Sequence, residues 1–111
     1  MQLGELCRYL KKARRMYILD DRYASAVSFI AGFDVALGGE PLRRFDKFLL
    51  DRFFEGKSTS SLHWGYMIAA TEFPSILVDG GPSLDRIPTQ YNQILTERMI
   101  DLLLEYAAQG D

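Results

Sequence analysis

Cysteine, histidine and tryptophan each occur only once in this chain of 111 residues. A single cysteine, Cys7, rules out an intramolecular disulfide and makes a reducing compartment the expected home. One cysteine and one histidine, His63, cannot assemble a Cys/His zinc site within the chain. No apolar run approaches the roughly 20 residues needed to span a bilayer. The N-terminus is polar and basic and lacks the apolar stretch of a secretory signal. A cytoplasmic protein without a membrane association is therefore expected. Phosphate-binding loops are missing too: Gly38-Gly39 and Gly80-Gly81 extend into neither G-x-G-x-x-G nor a P-loop. No nucleophile–base pair or tuned carboxylate pair can be argued. The expectation is a non-enzyme with no cofactor and no metal. Internal repeats, low-complexity segments and interdomain linkers are also missing, so residues 1–111 read as one domain.

What is present is enough for a core. Apolar residues make up 48% and charged residues 25%, as in an ordinary globular protein. Seven phenylalanines and six tyrosines supply bulk. The net charge is −2 but unevenly spread. Arg8, Lys11, Lys12, Arg14 and Arg15 face only Glu5 near the start, whereas acids dominate from Glu72 onward. Such asymmetry either guides a charged partner or pairs within the fold.

Periodicity predicts an all-α domain of about five helices. Leu3, Leu6, Cys7 and Leu10 give the first an apolar stripe ending near Ala13. Met16-Tyr17-Ile18 breaks the spacing and reads as an extended apolar connector that docks. Asp20 and Asp21 are cap candidates for a second helix, about Arg22 to Leu37, in which Gly32 reads as a point of close helix approach. Gly38-Gly39 stops it, and Pro41 opens a third helix to about Glu55. Ser60 or Ser61 can cap a fourth, with a stripe of Leu62, Tyr66, Ala69, Ala70 and Phe73 before Pro74. Ile76-Leu77-Val78 is a short strand or a buried loop, and the loop is preferred because a lone strand has nothing to pair with. Asp79-Gly80-Gly81-Pro82 signals a turn. The last helix is expected from Pro88 or Thr89 to about Ala108, before Gly110.

Three surface features are candidate partner-binding sites. Glu97, Asp101 and Glu105 recur on the last helix with no lysine four residues on, and like charges at that spacing repel. A basic partner would relieve this; the alternative is neutralisation by Arg98 or by basic residues of another segment. Arg8, Lys11, Lys12 and Arg15 form a stripe opposite the leucines of helix one, which reads as a phosphate-contacting surface or as a solvated face. Trp64 is an interface anchor if exposed and a core residue otherwise. Asp20 and Asp21 are lesser candidates beside their capping role. Cys7 reads as a buried structural thiol, and His63 as a capping or surface histidine rather than a general base.

One resemblance is present. The run Ala13-Arg14-Arg15-Met16-Tyr17-Ile18, then Phe29-Ile30-Ala31-Gly32 and the Gly38-Gly39 stop, resembles a group of short bacterial proteins. In that group an Arg-Pro-x-Met-Tyr-like turn precedes a helix carrying Phe-x-x-Gly, and some members look like immunity proteins encoded beside polymorphic or contact-dependent toxins. The likeness covers Tyr9 to Gly39, and this chain lacks the proline. It implies an immunity protein that binds a cognate toxin domain, such as a nuclease, and blocks its active site. On that reading Glu97, Asp101, Glu105, Asp20, Asp21 and Trp64 are the partner-binding residues. The competing readings are a small nucleic-acid-binding or regulatory domain using the basic first helix, and a helical scaffold that dimerises.

Overall fold

The computed structural model describes residues 1–56, 63–78 and 81–109. These residues are all-α: five α-helices and four short 3-10 turns, with no strand among the described residues. Helix α1 spans Leu3–Ala13, α2 Tyr23–Ala36, α3 Phe45–Phe53, α4 Trp64–Ala69 and α5 Asn92–Gln109.

Helix α1 forms as its pattern dictates. The Glu5 carboxylate reaches back to accept from the Gln2 backbone N–H at 3.4 Å, satisfying one of the free donors at the helix start. Leu3, Leu6, Cys7 and Leu10 are all buried. They pack along α5, which buries Leu95, Met99, Ile100, Leu102 and Leu103. Thr96 is the one buried polar residue among the described residues; its hydroxyl donates to the Asn92 carbonyl at 2.8 Å, so nothing is left unpaired.

Helix α2 crosses α5, and Tyr23 pins that crossing to α4. The Tyr23 N–H donates to the Asn92 side-chain oxygen at 3.0 Å and its hydroxyl donates to the Gly65 carbonyl at 2.7 Å. Burial is complete at Tyr23, and loss of hydration pushes its phenol above the ordinary range. A second aromatic knot surrounds Phe45, whose ring lies 5.5 Å from Trp64 and 5.2 Å from Tyr106. The α3, α4 and α5 helices meet there.

Several element boundaries differ from the sequence-based expectation, each for a local reason. Met16-Tyr17-Ile18 is not an extended docked connector. Residues Arg14–Met16 form a 3-10 turn, with the Tyr17 and Ile18 amides both bonded to the Arg14 carbonyl, and only Ile18 enters the core. Helix α3 starts at Phe45 rather than Pro41, because the Asp34 carboxylate ties down the Leu42 amide at 2.9 Å and residues 41–44 turn before the helix begins. Helix α4 ends at Ala69, where the Thr71 hydroxyl takes the Ile68 carbonyl. Its N-cap is His63; the serine caps proposed at Ser60 and Ser61, and Leu62, lie outside the described residues. So do Asp79-Gly80 of the expected turn, and Gly110. The Ile76 region is the loop alternative: a 3-10 turn over Pro74–Leu77 that buries Ile76 alone. A further 3-10 turn at Thr89–Tyr91 precedes α5, which therefore starts at Asn92.

Gly32 overturns the expectation of close helix approach: a Cβ there would meet nothing within 4 Å. The close approach is at Gly65 instead. A Cβ on Gly65 would sit 2.9 Å from Leu84 Cδ1 and 3.0 Å from Val27 Cγ1.

Candidate functional site

Two of the three acidic residues of the α5 stripe are paired. Asp101 pairs with Lys11 of α1 at 2.6 Å, and Glu105 pairs with Arg52 of α3. Glu97 accepts a 3.4 Å hydrogen bond from Gln93. The compensating charges come across helix contacts, which spacing along one helix cannot reveal. Arg98 plays no part in this neutralisation. It reaches the Thr71 hydroxyl and the Glu72 carboxylate, both at 2.7 Å, and fastens the turn after α4 to α5. The α5 pairs are solvent-exposed, so each contributes little, about 0–1 kcal/mol.

The basic stripe of α1 is similarly divided. Lys11 is taken by Asp101, and Arg15 pairs with Asp21 at 2.9 Å. Arg8 and Lys12 form no ion pair among the described residues.

Asp20 is a structural residue. It is not the cap expected, since the N-cap of α2 is Arg22 with no side-chain cap; its oxygens accept from the Arg22 N–H and the Ser25 hydroxyl, both at 2.9 Å, which holds the turn before α2 and lowers the carboxyl below its ordinary range. Trp64 is corrected from interface anchor to core residue: it is 6% exposed and packed edge-on against Phe45. His63 is a capping histidine, its Nδ1 accepting from the Gly65 N–H at 3.0 Å. That role requires a neutral ring, and partial burial, only partly offset by Asp46, lowers its pKa accordingly. Cys7 is fully buried, and burial pushes its thiol up to about 12, which keeps it protonated and inert. Among the described residues no group of three or more His, Cys, Asp or Glu is arranged to hold a metal ion, and no helix is long and apolar enough to cross a membrane.

The feature that pattern reading missed is the outer face of α2. The helix reads Tyr-Ala-Ser-Ala-Val-Ser-Phe-Ile-Ala-Gly-Phe-Asp-Val-Ala and carries a single charge, Asp34. A helix apolar on nearly every side is normally enclosed. Here the core covers one side, Tyr23, Ala26, Val27 and Ile30, while the other, which also carries the exposed Ser28 and the half-buried Ser25, is open and uncharged. Phe29 is half-buried, Gly32 is exposed, and Val35 is 75% exposed. These three residues follow one another along the helix at i, i+3 and i+6. The apolar surface continues past the helix: Tyr17 lies 6.3 Å from Phe29, and Tyr9 of α1 lies 6.5 Å from Tyr17. Met16, 78% exposed, precedes Tyr17, and Leu19, 90% exposed, follows two residues later, after the buried Ile18. The available signal was the near-absence of charge along α2, which periodicity analysis treats as a broad core face.

Comparison with protein-family models, with curated proteins and with solved structures yields no match. Function is therefore argued from the surface itself.

Proposed function

We propose that the chain is a protein-binding module of the immunity type, which docks on a cognate toxin domain and blocks it. The observation that carries this reading is the uncovered, uncharged outer face of α2, with Val35 exposed and Phe29 meeting the exposed Tyr9–Tyr17 corner. Contiguous exposed apolar and aromatic surface on a small domain marks an interaction site, and tyrosine is among the residues that dominate binding energy at such sites. The resemblance to immunity-like proteins runs through the same residues. Packing alone accounts poorly for two of them, since Met16 and Gly32 both face outward. Recognition of a partner accounts for both: the methionine is an adaptable apolar contact, and the glycine lets a partner approach the helix backbone.

The acidic residues Glu97, Asp101 and Glu105 take a secondary place in this proposal. The exposed ion pairs of Asp101 and Glu105 are weak enough to be exchanged for a basic partner, and Glu97 forms none among the described residues, so the three can steer association without anchoring it. The reading is tested by expressing the proteins encoded beside this chain and titrating each with it calorimetrically; one toxin domain among them is expected to bind, and none binding overturns the reading. Val35→Asp and Tyr17→Ala are each expected to weaken binding about tenfold or more, whereas Asp101→Asn with Glu105→Gln changes mainly the salt dependence. Unchanged affinity in both α2-face variants overturns the assignment.

A further inference from the structure

A second concavity lies away from the α2 face. The first turns of α1, residues 40–44, α3 and the last turns of α5 enclose a trough of about 970 Å³. Its floor is aromatic: Phe48 and Tyr106 pack edge to face at 5.7 Å, and both are only partly buried. The Tyr106 oxygen accepts from the Arg44 N–H at 3.3 Å, which fixes the ring against the wall. Most charges lining the trough already have a partner within the fold. Lys47 pairs with Asp51, Arg52 with Glu105, and Glu40 with Arg43. Glu5 accepts from the start of α1.

Arg8 and Arg44 are left over; neither forms an ion pair among the described residues. Arg8 is folded back over Gly4, its Nη1 3.4 Å from where a Cβ on Gly4 would stand, so the missing side chain makes room for the guanidinium at the α1–α5 crossing. Two arginines without an ion-pair partner among the described residues, in the lining of a trough with an aromatic floor, match carboxylates that flank an apolar side chain. A nucleic acid is the poorer fit. Its backbone carries a negative charge at every phosphate, and only two cations in the lining, Arg8 and Arg44, are without an ion-pair partner among the described residues, enough for two carboxylates but not for an unbroken row of phosphates.

We infer that this trough binds an extended acidic segment of another protein, with Arg8 and Arg44 receiving carboxylates on either side of an apolar residue held on Phe48 and Tyr106. The site is independent of the α2 face.

The test is fluorescence anisotropy of the full chain with a fluorescein-labelled peptide alternating glutamate and phenylalanine, at low ionic strength. Saturable binding is expected. A peptide with glutamine in place of glutamate is expected to bind about tenfold more weakly, as is the Arg8→Gln, Arg44→Gln protein. The double variant, at exposed positions, is expected to melt within a few degrees of the parent, and Val35→Asp is expected to leave peptide binding unchanged. No saturation, equal binding of the glutamine peptide, undiminished binding by a folded double variant, or displacement of the peptide by a stoichiometric single-stranded oligonucleotide would each overturn the inference. Loss of binding in Val35→Asp would show that the peptide sits on the α2 face instead.

Discussion

Replacing Gly32 by alanine is expected to stabilise the protein, and the reason bears on the functional surface. Gly32 lies inside α2, where glycine is less favourable than alanine by about 0.8–1.0 kcal/mol. That gain is realised only if the added methyl group fits. Nothing stands within 4 Å of its position, so no steric penalty offsets it. A net gain of about 0.5–1 kcal/mol follows, a rise in melting temperature of roughly 3–5 °C for a domain of this size. Gly65 provides the opposing control. There the same methyl group would lie 2.9 Å from Leu84 Cδ1 and 3.0 Å from Val27 Cγ1, beside the carbonyl that receives the Tyr23 hydroxyl. Overpacking of this kind typically costs about 1–3 kcal/mol. Urea denaturation of the two variants, followed by circular dichroism, separates them: the midpoint moves up for Gly32→Ala and down for Gly65→Ala at similar slope. A destabilised Gly32→Ala would mean that another part of the protein covers the outer face of α2, and the case for an open docking surface would fail with it.

Three further outcomes are expected. Removing the Tyr23 hydroxyl with Tyr23→Phe costs about 1 kcal/mol in the same assay, since one buried hydrogen bond to Gly65 is lost. Cys7 stays unlabelled by a thiol reagent at neutral pH in the native state and reacts only under denaturing conditions, because the side chain is fully buried and its pKa stands near 12. The His63 cap makes stability depend on pH. Its folded-state pKa lies below the ordinary 6.5, so the unfolded chain takes up the proton first as pH falls. The contribution is complete above pH 6.5 and declines as pH drops below that value. His63→Asn, which caps without titrating, is expected to flatten this decline, while His63→Ala costs about 1 kcal/mol at neutral pH. Asp20 and Asp85 do not confound the window, as both titrate below 3.8.

The helices that carry one clean apolar stripe were legible from spacing alone. Leu3, Leu6, Cys7 and Leu10 are buried together, and Leu95, Met99, Leu102 and Leu103 face them from α5. Boundaries were less legible because they depend on groups distant in sequence. Asp34 restrains Leu42 before α3, and Asn92 receives the first amide of α2 across 69 positions. The same limit governs the charged stripes. Lys11 meets Asp101 and Arg52 meets Glu105 only once α1 and α3 have packed on α5. The outer face of α2 was hidden for a different reason. Periodicity locates a core face by its contrast with a polar one, and in α2 that contrast is nearly missing. Exposure at Val35, Gly32 and Met16 becomes visible only when the neighbouring helices are in place.

The most direct test of the central claim is growth protection. Cells expressing a toxin domain found to bind the chain are given the wild-type chain, a Tyr17→Ala, Val35→Asp variant, or an Asp101→Asn, Glu105→Gln variant, each checked for folding by its thermal melt. Wild type and the α5 variant are expected to restore growth, and the α2-face variant is expected to fail while still folded. Protection by the α2-face variant, or none by the wild type, would contradict the proposal that this uncovered helix face is how the protein acts.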